Sequence, residues 1–277
     1  MRKWFILIAA IFIFALLGFL YFQNNFLKGE GKKTVKAVTA VAILSPTPSP
    51  TPILTSTPTP TIAPQKPSYS IAIFGDSMVD TMGEKLEYLQ EILANKYPQT
   101  KFNLYNYGIG GQNVEQGLAR FESTFVNRER HFPPLPELNP DILIIGSFAY
   151  NPFPTHDRNK HYALLRELVA KARTLHSRIY LLAEVAPLKI GFGKGKNGVN
   201  MLEEEASKHA IRILEQLDNI VNLSLSENIP LVNIYHLSRI DGVYGDPYYV
   251  NQDDGIHPSF AGHAFSADQI VQKITFD

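Results

Sequence analysis

The chain has 277 residues, no cysteine, and 26 basic residues balanced by 26 acidic ones. Without cysteine there is no disulfide framework, no thiolate metal site and no cysteine nucleophile. The even charge argues against a basic nucleic-acid binder, and 45% hydrophobic residues argue against wholesale disorder. That zero is an average, however. In the first 68 residues Arg2, Lys3, Lys28, Lys32, Lys33, Lys36 and Lys66 face only Glu30, a net charge of +6, which leaves −6 for the remaining 209.

Trp4 to Phe22 is an uncharged, almost wholly apolar run of 19 residues behind a three-residue head. As a helix it spans about 28 Å, close to the ~30 Å hydrocarbon core of a bilayer. A cleavable signal has a shorter apolar stretch, of about 7–15 residues, with a small-residue site just behind it. Gln23, Asn24 and Asn25 follow instead, so the run reads as an uncleaved signal anchor that places residues 4–22 in a lipid bilayer. Residues 23–68 read as a linker. Between Ser45 and Pro67 lie eight prolines and six threonines, a composition that builds no core and predicts a polyproline-like spacer. Its hydroxyls suit O-linked sugars, as in stalks of this composition. Lysines on the far side of the span leave charge counting undecided about orientation. A stalk makes most sense outside, so the expected location is a single-pass cell-membrane protein with its folded body extracytoplasmic.

Residues 69–277 alternate short apolar runs with amphipathic stretches. Strands are predicted over Tyr69–Phe74, Lys101–Asn106, Asp141–Ile145, Arg178–Glu184 and Leu231–Tyr235. Helices are predicted over Gly83–Lys96, Asn113–Asn127, His161–His176 and Met201–Glu227, with a last one after Pro258. Strands that are apolar nearly throughout, separated by helices, indicate a parallel sheet covered on both faces. The expected fold is a three-layer α/β/α domain with a doubly wound, five-stranded parallel sheet of the flavodoxin-like kind. Ligands in such folds bind at the carboxyl ends of the strands.

Two of those ends carry chemistry. The first strand ends in Phe74-Gly75-Asp76-Ser77, where a serine at a sharp turn can expose its hydroxyl beside helix N-terminal amides that favour an anionic oxygen. Equally, Asp76 or Ser77 can simply cap the helix. The last strand leads to Asp253-Asp254-Gly255-Ile256-His257-Pro258. Asp254, three residues before His257, can accept a hydrogen bond from the imidazole and leave the other nitrogen as a general base. Pro258 suits the first turn of the following helix, whose positive end would keep His257 neutral. A capped helix with an incidental histidine is the plainer reading. At this composition roughly 0.04 Gly-Asp-Ser and roughly 0.3 Asp-x-x-His occurrences are expected by chance, so the two together point past coincidence.

With both motifs in place the body resembles the SGNH, or GDSL, hydrolase family from about Ser70 to Ile274. Gly75-Asp76-Ser77 matches the first block, which implies that Ser77 is the nucleophile. Asn106-Tyr107-Gly108-Ile109-Gly110-Gly111-Gln112-Asn113 resembles the second block and places Gly111 at an oxyanion-hole amide; unaided, these glycines would signal only a tight turn. Asp254-Gly255-Ile256-His257 matches the fifth, making His257 the base and Asp254 its orienting acid. The third block departs from the family's Gly-x-Asn-Asp: the chain reads Gly146-Ser147-Phe148-Ala149-Tyr150-Asn151-Pro152, with Phe148 at the asparagine position. Asn151, from a longer loop, is the expected replacement donor; otherwise the hole rests on the amides of Ser77 and Gly111.

Other loops are weighed for substrate. Pro187 to Asn200 contains Gly191, Gly193, Gly195 and Gly198 with Lys189, Lys194 and Lys196. It lacks the P-loop pattern and reads as a basic mobile lid or a solvated insertion. Tyr244, Tyr248 and Tyr249, with Phe148, Tyr150 and Phe153, suit either a sugar-stacking surface or ordinary loop packing. The spacing of Asp241, Asp246, Asp253 and Asp254 fits no calcium loop, and no metal or other cofactor is expected. The anchor and the resemblance together imply a membrane-anchored serine esterase acting through a Ser-His-Asp triad on acyl, including O-acetyl, esters of a polysaccharide or cell-envelope substrate. An O-acyltransferase using the same acyl-enzyme and a silent glycan-binding module are the alternatives; a nucleotide-binding flavodoxin-like domain fits the weak glycine loop and acidic body poorly.

Overall fold

A computed structural model describes residues 64–276. The span expected over residues 4–22 and the linker up to residue 63 lie outside the described residues. Among the described residues no helix is long and apolar enough to cross a membrane.

The domain opens with β1 (Ser68–Gly75), a single helical turn α1 (Ser77–Asp80) and α2 (Glu87–Lys96). Then come β2 (Lys101–Gly108), α3 (Val114–Arg120), the short strands β3 (Phe125–Asn127) and β4 (Arg130–Phe132), and α4 (Leu135–Leu138). The second half carries β5 (Ile142–Gly146), α5 (Arg158–Ala172), β6 (Arg178–Ala183), α6 (Glu203–Glu227), β7 (Leu231–Asn233), α7 (Ile234–Leu237) and α8 (Phe260–Lys273). Five strands form one sheet in the order β2-β1-β5-β6-β7, with every neighbouring pair parallel.

The residue types explain the layers. Ile71 to Phe74 on β1 and Ile142 to Ile145 on β5 are buried without a polar break, as central strands covered on both faces must be. In α6 the buried Ala206, Ala210, Ile213, Leu217, Ile220 and Leu223 recur at three- and four-residue steps, an apolar stripe at the helical period. Glu203, Glu204 and Glu205 in its first turn complement the positive end of the helix. Because β2 lies on one side of β1 and β5 on the other, the chain's winding reverses at the carboxyl end of β1. A crevice opens there.

Three predicted elements differ. The helix expected over Asn113–Asn127 stops at Arg120, and the chain turns into the antiparallel pair β3–β4. Phe125 and Phe132 sit opposite one another and stack at 5.5 Å, with Tyr107 against both, so the alternation of a half-buried ribbon overrides helix propensity. The last strand ends at Asn233, whose side chain caps α7. Pro258 lies before α8 rather than in its first turn: Ser259 is the N-cap, accepting from the Gly262 amide at 3.1 Å.

Candidate active site

Ser77 begins α1 immediately beyond β1. Asp76 caps this turn, its Oδ1 accepting from the Met78 amide at 3.0 Å. The turn is pressed onto the end of β2, where a Cβ on Gly108 would come within 2.2 Å of the Asp80 nitrogen, so only glycine fits. Asn106 locks the same junction: its amide donates to the carbonyls of Val79 and Gly83, and its oxygen accepts from the Gly108 amide. Ser77 thus sits on backbone fixed from two strands.

The second element is a loop pinched at its base. Val250 and Pro258 form an antiparallel bridge, and the Asn251 amide donates to the His257 carbonyl at 2.8 Å. Inside it Asp254 Oδ1 accepts from the amides of Ile256 and His257, while Oδ2 pairs with His257 Nδ1 at 2.9 Å. A carboxylate at Nδ1 holds the proton there and leaves Nε2 as an acceptor. Ser77 and His257 line one cleft of about 540 Å³, together with Gly111 and Asn151. No hydrogen bond joins the Ser77 hydroxyl to the imidazole in this structure.

Gly111 has φ +77° and open space where a Cβ would stand, the left-handed conformation that favours glycine. Phe148, at the position expected for asparagine in the third block, is fully buried, edge-on to Phe74 at 5.6 Å. It holds φ +55°, a strained value for a bulky residue. Tyr150 and Asn151, which follow it, line the cleft. There Asn151 Nδ2 donates to Asp76 Oδ2 at 3.0 Å, coupling the third-block loop to the cap of the Ser77 turn.

Beneath the loop lies a second buried acid. Glu184, directly after β6, accepts from the Ser147 amide at 2.9 Å through Oε1, and its Oε2 meets the Ser147 hydroxyl. Burial, and then the nearby Asp76 charge, push its carboxyl up to about 8. Burial also raises Asp76, against the pull of the Met78 amide, the Asn151 side chain and the His257 charge. An acid whose folded pKa lies above its unfolded value binds more protons when folded, so its stabilising contribution, full below the unfolded pKa of about 4.5, is lost as pH rises through about 8. Glu184→Gln supplies a permanent neutral acceptor and donor in the same places. The variant is expected to lose much of the decline in unfolding free energy between about pH 5 and 8, measured by urea titration at several pH values; an unchanged slope would sink the assignment.

The loops weighed for substrate have other partners. Phe148, Tyr150 and Phe153 are buried, so the six aromatics do not form one sugar-stacking surface; Tyr150 instead donates from its hydroxyl to the Val185 carbonyl at 2.5 Å. The loop over residues 187–200 is no free lid. It is bonded to the histidine loop, Gly193 amide to Gly255 carbonyl at 3.1 Å and Asn197 amide to Asp253 carbonyl at 2.7 Å, while Phe192 and Val199 form a wall of the cleft. Asp241 and Asp246 accept from amides of their own turns. Sequence reasoning also passed over Asp76 as the partner of Asn151, Asn106, Glu184, and His209 on the cleft wall. A charged residue closing an apolar strand was the available signal for Glu184.

Residues 73–265 match the GDSL-like Lipase/Acylhydrolase family. No curated relative matches the chain. Among solved structures, a lipase/acylhydrolase from Enterococcus faecalis aligns at TM-score 0.55 and 16% identity over 74% of this chain and 94% of that one. A GDSL-like lipase from Bacteroides thetaiotaomicron gives 0.53 and 18% over 74% and 86%. An acetyl-xylooligosaccharide esterase from Geobacillus gives 0.51 and 20% over 78% and 97%. These likenesses establish the shared fold, and the family match spans the strand ends that carry Ser77 and His257. The chain belongs to the GDSL-like lipase/acylhydrolase family and is a hydrolase that acts on ester bonds.

Proposed function

We propose that Ser77, His257 and Asp254 are the catalytic triad of this hydrolase. The observation that carries the reading is the single cleft onto which Ser77, His257, Gly111 and Asn151 all open, with the imidazole oriented by Asp254. Ser77 Oγ attacks the ester carbonyl as His257 Nε2 takes its proton; the tetrahedral intermediate collapses as the imidazolium protonates the leaving alcohol. Water, deprotonated by the same nitrogen, then attacks the acyl-enzyme and releases the acid and free Ser77. No cofactor enters this sequence.

The oxyanion is stabilised by the amides of Ser77 and Gly111 and by Asn151. A primary amide has two N–H donors. One of Asn151's is taken by Asp76, which sets the orientation, and the second is left for the oxyanion. Asn151→Ala is expected to lower kcat by about 10²–10³-fold on a small acetyl ester with KM little changed, as loss of one preorganised donor does. A loss below about threefold in steady-state kinetics would leave the hole to the two amides. The triad itself is tested with a fluorophosphonate probe, which should label wild-type protein at Ser77 and neither Ser77→Ala nor His257→Ala; an unlabelled wild type that cleaves no acetyl ester would overturn it.

The substrate we propose is an O-acetylated or otherwise acylated glycan outside the cell, reached by a domain tethered through residues 4–22 and the proline-rich linker. The uncharged 19-residue run and the stalk composition support the tether. Protease added to intact cells should release the domain, and full protection of it would refute an external location.

A further inference from the structure

His257 also borders a second cleft. On the side away from Asn151 it opens, with Asp254, into a groove of about 810 Å³ between the start of α2 and the segment 247–260. Two large rings stand on its rim almost fully in water: Phe260 is 83% exposed and Tyr248 68% exposed. Neither ring contributes to the core. Their backbones are nevertheless fixed: the Ser259 hydroxyl donates to the Tyr248 carbonyl at 2.7 Å, and its amide to the Tyr249 carbonyl at 2.9 Å. Tyr248 is braced edge-on by Tyr249 at 5.2 Å, which in turn stacks on Phe265 at 4.8 Å. Across the groove Tyr88 stacks on His263 at 6.2 Å. Tyr88 and Tyr248 are thus braced by ring contacts at the groove, and the Phe260 ring stands on a backbone fixed by the N-cap of α8.

The polar lining selects among occupants. Glu87, Asp253 and Asn251 offer carboxylate and amide groups, and no lysine or arginine lines the groove. Acidic walls repel phosphate, anionic lipid headgroups and nucleic acid. Hydroxyl-rich neutral chains meet both demands, since carboxylates and amides accept or donate to hydroxyls while ring faces cover the apolar faces of pyranoses.

We infer that this groove, lined by Tyr88, Tyr248 and Phe260, is a subsite for a neutral oligosaccharide chain that extends past His257 on the leaving-alcohol side of the ester. The inference rests on the esterase reading for its direction, since His257 protonates the leaving alcohol. Its test does not rest on catalysis. In the Ser77→Ala background the protein is titrated by calorimetry with unacylated xylohexaose, cellohexaose, mannohexaose and chitohexaose. At least one is expected to bind, and Tyr248→Ala with Phe260→Ala to weaken that binding by about tenfold or more, the worth of two stacking contacts. Melting temperature, unchanged in the exposed-ring variant, separates this from unfolding. Failure of all four sugars to bind, or equal binding by the variant, overturns the subsite. So does a protein that ignores the sugars but sediments with vesicles of phosphatidylcholine and phosphatidylglycerol through these rings. Probe labelling of wild-type Ser77 fails or succeeds independently of every one of these outcomes.

Discussion

Ser77→Ala is expected to lower kcat on an acetyl ester by about 10⁶-fold, and His257→Ala by about as much, because in the proposed triad the two act as one unit that makes and discharges the acyl-enzyme. The combined variant should be no worse than either alone. Asp254 adds a distinction that its two oxygens make possible. Oδ1 holds the turn through the Ile256 and His257 amides, while Oδ2 meets Nδ1. Asp254→Asn can keep Oδ1 as an acceptor and the loop intact. An amide N–H opposite Nδ1 then favours the tautomer protonated at Nε2, which cannot accept the serine proton. A loss of about 10⁴-fold with unchanged stability is expected. Asp254→Ala should add instability, since two amides lose their acceptor. In pre-steady-state measurement with 4-nitrophenyl acetate, the burst of nitrophenol should vanish in Ser77→Ala, His257→Ala and Asp254→Asn. Losses that multiply in the double variant would show that Ser77 and His257 do not act together.

Much of the frame was legible because the physics that builds it is local. Ile71 to Phe74 and Ile142 to Ile145 read as buried strands from their apolar runs, and Gly75-Asp76-Ser77 and Asp254 to His257 lie within single turns whose geometry the intervening residues dictate. What escaped depends on distant partners. The β3–β4 ribbon draws its stability from Tyr107, which is far from it in sequence, so helix-compatible residues lost to cross-strand rings. Asn151 could be nominated for the cleft, but its bond to Asp76 joins residues 75 apart. Glu184 reaches Ser147 across 37 residues, so the apolar strand it closes can hint at a buried acid but cannot name its partner. The loop over residues 187–200 read as a mobile lid or a solvated insertion because its glycines and lysines suggest mobility and exposure. Two of its amides, of Gly193 and Asn197, instead donate to carbonyls of the histidine loop.

Arg130→Met is expected to destabilise the domain by about 3–5 kcal/mol, the cost of stranding a buried charge. Asp80 ends the turn that begins with Ser77, and its side chain is only 7% exposed. Arg130, only 3% exposed, reaches it from β4 with Nη2 on Oδ1, while Nη1 donates to the Asn106 carbonyl at 2.8 Å. Asn127 adds a second contact to Asp80 Oδ1 at 3.1 Å. So little water reaches this pair that screening does not discount it. Arg128, 3.6 Å from Oδ2 but 65% exposed, is too solvated to replace the lost guanidinium. The pair is nonetheless no gain over an apolar core, because Arg130 Nε is buried without a hydrogen-bond partner. Asp80→Leu combined with Arg130→Met should therefore recover most of the stability in urea unfolding. Recovery of folding without recovery of kcat would mean that the ion pair serves chiefly to aim Ser77. If Arg130→Met alone costs less than about 1 kcal/mol, Arg128 has taken over the charge, and the β3–β4 ribbon is not what anchors the Ser77 turn.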